Sequence, residues 1–400
     1  MKTLAHAKGP SIEPALVVIL AGVCAALHVG KLPPALPVLQ QELGISLLQS
    51  GFLLSLVQLA GMSAGLFIGL LADGIGLRRS LLIGLSILGV SSLLGASAKQ
   101  PQWLLIWRAI EGLGFLLVVL PAPNLIRQLV RPERMSIMMG VWGAYMPLGT
   151  GLALLLGPAL IIWAGWQSLW WGLAALSFGM LFWVIRVVPV AVKAPTFQQD
   201  GVNLWLARLW LTLRSSGPWL AALTFAAYSA QWLAVIGFLP TIYAQAGFPS
   251  STTALLTALV ALANIIGNLM SGRLLARDIS PQTLLYVGFV TMGLGAMLAF
   301  ANGPWGPLPR FFSILLFSIV GGLVPATLFA LSVRMSPSEF TVSTTVGWMQ
   351  QWSALGQFAG PPLVALAAAT LGDWRATWWV TCSFCLIGLG LAHKIGRRVG

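Results

Sequence analysis

Twelve long apolar runs, bounded by charges, proline or glycine, organise the chain: residues 15–38, 47–71, 80–98, 102–125, 136–160, 168–187, 217–239, 251–272, 282–301, 310–333, 342–368 and 376–393. A bilayer core about 30 Å thick is crossed by roughly 20 apolar residues in a helix rising 1.5 Å per residue. The pattern therefore predicts an all-α membrane protein of twelve transmembrane helices. The polar positions between the runs predict its orientation. With the N-terminus in the cytoplasm, seventeen of the 22 Lys and Arg residues fall on the inner flanks, the bias that positive charge shows toward the cytoplasm. The outer loops hold Lys99, Arg310 and Arg375, leaving Lys31 and Arg108 within helices. The expectation is N-in and C-in.

The longest polar interruption is 188–216, with Pro189, Pro195, Gln198, Gln199 and Asp200, and it divides the chain into an N-terminal half, 1–187, and a C-terminal half, 217–400. The halves repeat each other. Gly69 and Gly272 lie 203 residues apart, as do Gly157-Pro158 and Gly360-Pro361, while Trp166 and Trp374 lie 208 apart. Two landmarks at one offset and a third displaced by five residues predict an internal duplication with a slightly longer loop in the second copy.

Composition narrows the class. The 400 residues are 58% hydrophobic and only 8% charged, against about 25% charged in soluble globular chains. A net charge of +13 raises the question of nucleic acid, but the cations are scattered over loops rather than gathered into a stripe, so none is expected as a partner. Cys24, Cys382 and Cys385 all sit inside apolar runs, and Cys382 and Cys385, three residues apart, share a helix face without histidine or carboxylate neighbours; all three read as small core residues rather than metal ligands. No nucleotide-binding glycine loop, metalloprotease helix or nucleophile elbow is present. An enzyme is not expected, nor a cofactor or metal, and an ion or solute gradient remains as the driver.

After the second run stands Gly69-Leu-Leu-Ala-Asp73-Gly74-Ile-Gly76-Leu77-Arg78-Arg79. It resembles the cytoplasmic loop signature of the major facilitator superfamily, departing from it at Gly74 and Leu77, where basic residues are usual. In the fourth run, Arg108-Ala-Ile-Glu111-Gly112-Leu-Gly114 is similar to that family's Arg-x-x-x-Gly-x-Gly element, and the fifth run carries a glycine and proline series without the family's usual spacing. The resemblance implies two six-helix bundles rocking about a central site, a cytoplasmic-membrane location and a small-molecule solute as partner. It also implies gating by Gly69, Asp73 and Arg78, and it places Arg108 toward the cavity. Within the family the chain looks closer to small-anion permeases such as the cyanate-transport group.

An ionisable group at the bilayer centre costs at least about 2.5 kcal/mol, so each one is a functional candidate. Lys31 and Arg108 are expected ~10 Å deep, counted at 1.5 Å per residue from the outer ends of their runs. Glu111, three residues after Arg108, shares its helix face and is expected to pair with it, leaving Lys31 as an uncompensated cation. An anionic solute follows, with Lys31 and Arg108 binding its charge, Glu111 as the proton-coupling carboxylate and His28, one turn before Lys31, as a second proton carrier. Two plainer readings stand beside these: Lys31 snorkelling outward beside Pro33-Pro34, and Arg108 held only as a structural partner of Glu111. In the second half Gln231, Gln350 and Trp352 are the expected cavity residues. The full expectation is a secondary active transporter, monomeric in the lipid bilayer, coupled to protons or a counter-solute. Efflux of amphipathic compounds is the competing reading, and it tolerates loss of Lys31. A membrane receptor or scaffold, or a membrane-embedded enzyme, lacks the docking segment or the clustered acids each would need.

Overall fold

The computed structural model describes residues 12–63, 65, 75–131, 134, 138, 141–190, 202–301, 306–338 and 341–399. Among them the chain is helical apart from short connections. The N-terminal half contains α1 (Ile12–Gly30), α2 (Leu32–Leu43), α3 (Leu47–Ser55, continued by a 3₁₀ turn over Leu56–Gln58), α4 (Leu77–Gly95), α5 (Pro101–Val119), α6 (Ala122–Leu129), α7 (Tyr145–Ala164) and α8 (Trp166–Val187). The C-terminal half contains α9 (Val202–Arg214), α10 (Ser216–Gln245), α11 (Ser250–Leu275), α12 (Pro281–Phe300), α13 (Pro307–Gly321), α14 (Leu323–Met335), α15 (Val342–Leu371) and α16 (Trp378–Val399). Among the described residues, eleven helical stretches are long and apolar enough to cross a membrane, and the shorter apolar stretch Leu47–Ser63 stands where the second crossing is expected.

Several crossings are broken, for identifiable reasons. The first runs from Pro14 to Leu43, beyond the expected end at 38, because Pro33 and Pro34 occupy the opening turn of α2, where N–H groups have no intrahelical acceptor in any case. The fourth breaks between α5 and α6 at Pro121, and the tenth between α13 and α14 at the Gly321-Gly322 pair. Half-helices of this kind leave carbonyls and N–H groups for other partners.

Within the N-terminal half α1 packs along α7, and within the C-terminal half α10 packs along α15, the corresponding pair if each half repeats the other. Glycine makes both approaches close. A methyl group at Gly149 would stand 2.7 Å from Val23 O, and one at Gly360 would stand 2.9 Å from Ala230 Cα. Among the described residues the halves meet chiefly where α3 packs on α15, α7 on α11, and α2 on α10. Gln58 Nε2 donates to Gln357 Oε1 at 3.0 Å, and Gln351 Nε2 donates to Met62 O at 3.0 Å, both across the seam between the halves.

Alternation of the crossings gives the bundle two ends, one carrying Glu42 and the other Arg78. At the Glu42 end a buried apolar cluster joins the halves. Leu36 and Leu39 of α2, with Leu53 and Leu54 of α3, pack with Ala234 and Phe238 of α10 and with Val364 and Ala365 of α15. At the Arg78 end, Arg78 donates from Nε to Val188 O at 2.8 Å and from Nη2 to Ile185 O at 2.9 Å, tying α4 to the last turn of α8.

Candidate functional site

The break between α1 and α2 lies opposite α5, and four ionisable side chains converge there. Lys31 sits at the break and His28 one turn before it, while the helical spacing of Arg108 and Glu111 turns both toward them from α5. None of the four is more than 2% exposed. Lys31 lies twelve residues before the end of α2, about 18 Å at 1.5 Å per residue, so it is deeper than its run predicted.

Glu111 is the hub. Its Oε1 accepts from Lys31 Nζ, its Oε2 accepts from Arg108 Nη1 at 3.0 Å, and His28 Nδ1 stands 3.5 Å from Oε1. Arg108 and Glu111 pair as their spacing predicted. The uncompensated Lys31 does not appear: its ammonium shares the same carboxylate, donates to Ser92 Oγ at 3.0 Å and lies 4.5 Å from the centre of the Trp170 ring. Nor does it snorkel outward, being wholly buried. Counted formally, Lys31 and Arg108 against Glu111 leave the cluster one positive charge in excess. That charge belongs to the group rather than to Lys31.

Arg108 also repairs broken helices. Pro33 has no N–H to offer Val29 O, its partner one turn back, and Arg108 Nη2 donates to that oxygen at 3.3 Å while Nη1 reaches His28 O. On the other side Arg108 Nε donates to Leu53 O at 3.1 Å, where α3 gives way to the 3₁₀ turn. The planar guanidinium thus spans two helix discontinuities and the carboxylate at once, a geometry that an ammonium could not reproduce.

His28 Nε2 lies 2.8 Å from Ser177 Oγ, which is 3.6 Å from Cys24 Sγ. Ser92 in turn donates to Trp170 O at 2.9 Å. Ser92, Trp170 and Ser177 complete the cluster from α4 and α8, and nothing local in the sequence singles out either serine.

The candidates in the C-terminal half do not join this group. Gln231 is fully buried, donating to Ala227 O at 3.1 Å in its own helix and accepting from Cys385 Sγ at 3.1 Å. Trp352 packs edge-on with Trp219 and Trp348, at centroid distances of 5.3 and 5.9 Å. Gln350 lies partly buried on α15 beside that aromatic group in sequence. The indole N–H groups of Trp232 and Trp348 are buried without an acceptor. Asn264 donates to Tyr228 Oη at 3.0 Å and to Ser318 O at 2.9 Å, linking α10, α11 and α13. Of the expected gating residues, Arg78 is engaged with α8, and Gly69 and Asp73 lie outside the described residues. Among the described residues no group of three or more His, Cys, Asp or Glu side chains is placed to hold a metal ion.

Comparison with known proteins agrees with this architecture. The family model described as the Major Facilitator Superfamily matches residues 220–395. The cyanate transport protein CynX of Escherichia coli (strain K12) is 25% identical over 386 residues, covering 94% of each chain. The 3-(3-hydroxy-phenyl)propionate transporter of the same organism is 26% identical over 387 residues, covering 90% of this chain and 87% of its own. A bacterial homolog of the human lysosomal transporter Spinster, solved in an inward-facing and occupied conformation, superposes with a TM-score of 0.76 at 14% identity, covering 96% of each chain. The fold and these full-length likenesses together describe a multi-pass inner-membrane transporter whose C-terminal half matches the Major Facilitator Superfamily model.

Proposed function

We propose that this transporter moves a small anionic organic solute by alternating access, with the cluster around Glu111 as the site where solute charge and a coupling proton are exchanged. The observation that carries the reading is the excess positive charge of that cluster in a setting no more than 2% exposed. A buried cation in excess is costly until an anion joins it. A carboxylate or similar group entering beside Lys31 competes with Glu111 for the ammonium. Glu111, losing one of its two cationic partners, then becomes easier to protonate. Uptake of solute and of a proton are linked in this scheme through one side chain, and His28, 3.5 Å from the same carboxylate, stands where it can pass the proton on. Arg108 holds the break in the first crossing and keeps the second positive charge in place.

In this reading the bundles 1–187 and 217–400 rock about the seam between them while 188–216 connects them, twelve helices cross the membrane, and the Arg78 end faces the cytoplasm. The support is the basic character of that end, which includes Arg78, Arg127, Arg186, Arg273, Arg334 and Arg398, together with the bias of positive charge toward the cytoplasmic side. A second reading, efflux of amphipathic compounds, draws on the Trp219, Trp348 and Trp352 group, whose faces suit apolar or aromatic solutes.

Thermal unfolding of the detergent-purified protein across a panel of organic anions, cations and neutral amphiphiles separates the two. A ligand at 100 times its Kd stabilises the native state by about 2.7 kcal/mol. Stabilisation by an anion that is lost in Lys31→Ala is the expected result. Stabilisation by cations or amphiphiles alone, unchanged by the substitution, overturns the anion reading in favour of efflux.

A further inference from the structure

The second crossing carries a 3₁₀ turn in the middle of its helix. Leu47–Ser55 is α-helical, Leu56–Gln58 is 3₁₀, and the α-helix resumes at Leu59. Nothing local calls for the change: residues 52–60 contain neither proline nor glycine. A helix is interrupted without them when a side chain enters its ladder of hydrogen bonds. Arg108 is that side chain. Its Nε donates to Leu53 O at 3.1 Å, the acceptor that an unbroken α-helix reserves for Val57 N. The same helix, α5, presses on the turn again one residue after Glu111, where a methyl group at Gly112 would stand 3.0 Å from Val57 Cα. The turn is therefore shaped by the element that carries the centre of the charged cluster.

The turn also divides the seam between the halves. Before it, toward the Glu42 end, Phe52 meets Phe358 with ring centroids 6.4 Å apart. At its end Gln58, 4% exposed, donates from Nε2 to Gln357 Oε1 at 3.0 Å, and Gln357 Nε2 donates in turn to Ser353 Oγ at 3.3 Å. The receiving side is firmly held. Ser353 O accepts from Ser229 Oγ at 2.9 Å, and α15 lies so close to α10 that a methyl group at Gly356 would stand 2.9 Å from Ala226 C. A 3₁₀ turn rises about 2.0 Å per residue with three residues per turn, against about 1.5 Å and 3.6 in an α-helix. Over three residues the difference is about 1.5 Å of rise and about 60° of rotation. A hydrogen bond is lost beyond roughly 3.5 Å, so that displacement takes Gln58 away from Gln357.

We propose that Gln58 is a positioning residue that carries the state of the Glu111 cluster to the seam between the halves, its bond to Gln357 formed while Arg108 holds the 3₁₀ turn and broken when the turn relaxes to α-helix. This role rests on the reading of Glu111 as the group whose charge changes during transport. While Glu111 is ionised, its Oε2 anchors Arg108 Nη1 at 3.0 Å and so keeps Nε on Leu53 O. A proton on Glu111, or a solute anion that draws the guanidinium toward itself, weakens that anchor. Leu53 O then returns to Val57 N, the turn closes to α-helix and Gln58 swings off Gln357. With that the halves lose one of the bonds favouring the conformation in which the apolar cluster at the Glu42 end is closed.

The test is the labelling rate of Leu36→Cys with a membrane-impermeant maleimide, in the full chain with Cys24, Cys382 and Cys385 replaced, since Leu36 is wholly buried in that apolar cluster. The parent is compared with Gln58→Leu, with Glu111→Gln and with the two together. Each single substitution is expected to speed labelling roughly 2- to 12-fold, the range that one neutral hydrogen bond contributes, and the double variant is expected to label no faster than the faster single one. Effects that multiply in the double variant, or a rate unchanged by Gln58→Leu, overturn the proposal, because a residue that only filled space at the seam would add its effect to that of Glu111→Gln. Where Glu111→Gln does not fold, Glu111→Gln with Lys31→Met, which buries one unpaired cation instead of two, takes its place in the comparison. No solute enters this measurement, so its outcome is separate from that of the anion panel. Multiplied rates beside an anion that stabilises the wild type remove the role of Gln58 alone; non-additive rates without such an anion remove the solute reading alone.

Discussion

The indole of Trp166 donates to the Glu42 carboxylate at 3.0 Å, closing the start of α8 onto the end of α2. In the second half Trp374 donates to Gln245 at 2.7 Å, closing the approach to α16 onto the end of α10. The acceptors are 203 residues apart and the donors 208, the two offsets found in the repeat. Each half therefore carries the same clasp between its first and last crossings, built from one aromatic donor and one side-chain acceptor.

The two clasps differ in setting, so their loss should differ. Trp166 is 1% exposed and packs edge-on with Trp170 at 5.1 Å, whereas Trp374 is only partly buried. Trp→Phe removes the N–H in each case. Interhelical hydrogen bonds in membrane proteins average about 0.6 kcal/mol and reach about 1.7. Trp166→Phe should fall at the upper end and Trp374→Phe at the lower, read as the larger and smaller drop in Tm of the purified protein.

Arg108→Lys keeps the positive charge and loses the fork. Four acceptors, Leu53 O, His28 O, Val29 O and Glu111 Oε2, share the guanidinium. An ammonium reaches some of them at best, and each buried carbonyl left without a donor costs about 1–3 kcal/mol. The substitution should lower Tm by several degrees and abolish uptake. Wild-type stability in this variant would show that Arg108 acts through charge alone.

Charge balance sets the order of damage in the cluster. Lys31→Met leaves Arg108 and Glu111 as a neutral pair, whereas Glu111→Gln leaves two buried cations with no counter-charge. Breaking a buried pair by removing one partner costs about 3–5 kcal/mol. Glu111→Gln should therefore be the less stable single variant, and adding Lys31→Met to it should restore part of the loss while transport stays absent. Melting curves of the three proteins, with uptake measured in vesicles, decide this. If the double variant were less stable than Glu111→Gln, the two side chains would not be acting through opposed charge.

Much of this was legible in the sequence because the bilayer imposes it. A crossing must be long and apolar, and an ionisable side chain inside one stands out against it, so the apolar runs and the placement of Lys31, Arg108 and Glu111 within them could be read directly. The pairing of Arg108 with Glu111 was local, three residues apart in one helix. The pairing of Lys31 with Glu111 was not, since it spans 80 residues and depends on where α1 breaks against α5. Ser92 and Ser177 were invisible for a similar reason: a serine in an apolar helix has no pattern until its neighbour is known. Gln231 looked like a cavity residue by polarity alone, but its amide faces its own backbone and Cys385.

The seam between α3 and α15 offers a direct test of motion between the halves. A methyl group at Gly51 would stand 2.9 Å from Pro362 Cα and 3.1 Å from Ala365 Cβ, so leucine there drives a wedge between the helices at the Glu42 end. Overpacking costs about 1–3 kcal/mol, and if that falls on the state in which this end is closed, the population of the open state rises roughly 5- to 150-fold. Leu36 is wholly buried in the apolar cluster joining the halves, so a cysteine placed there reports opening. In a chain with Cys24, Cys382 and Cys385 replaced, Gly51→Leu should speed the reaction of Leu36→Cys with a membrane-impermeant maleimide while leaving the helical content unchanged. An unchanged labelling rate accompanied by a lower Tm would mean that α3 and α15 form a fixed contact, and the moving seam would then have to lie between α7 and α11 or between α2 and α10.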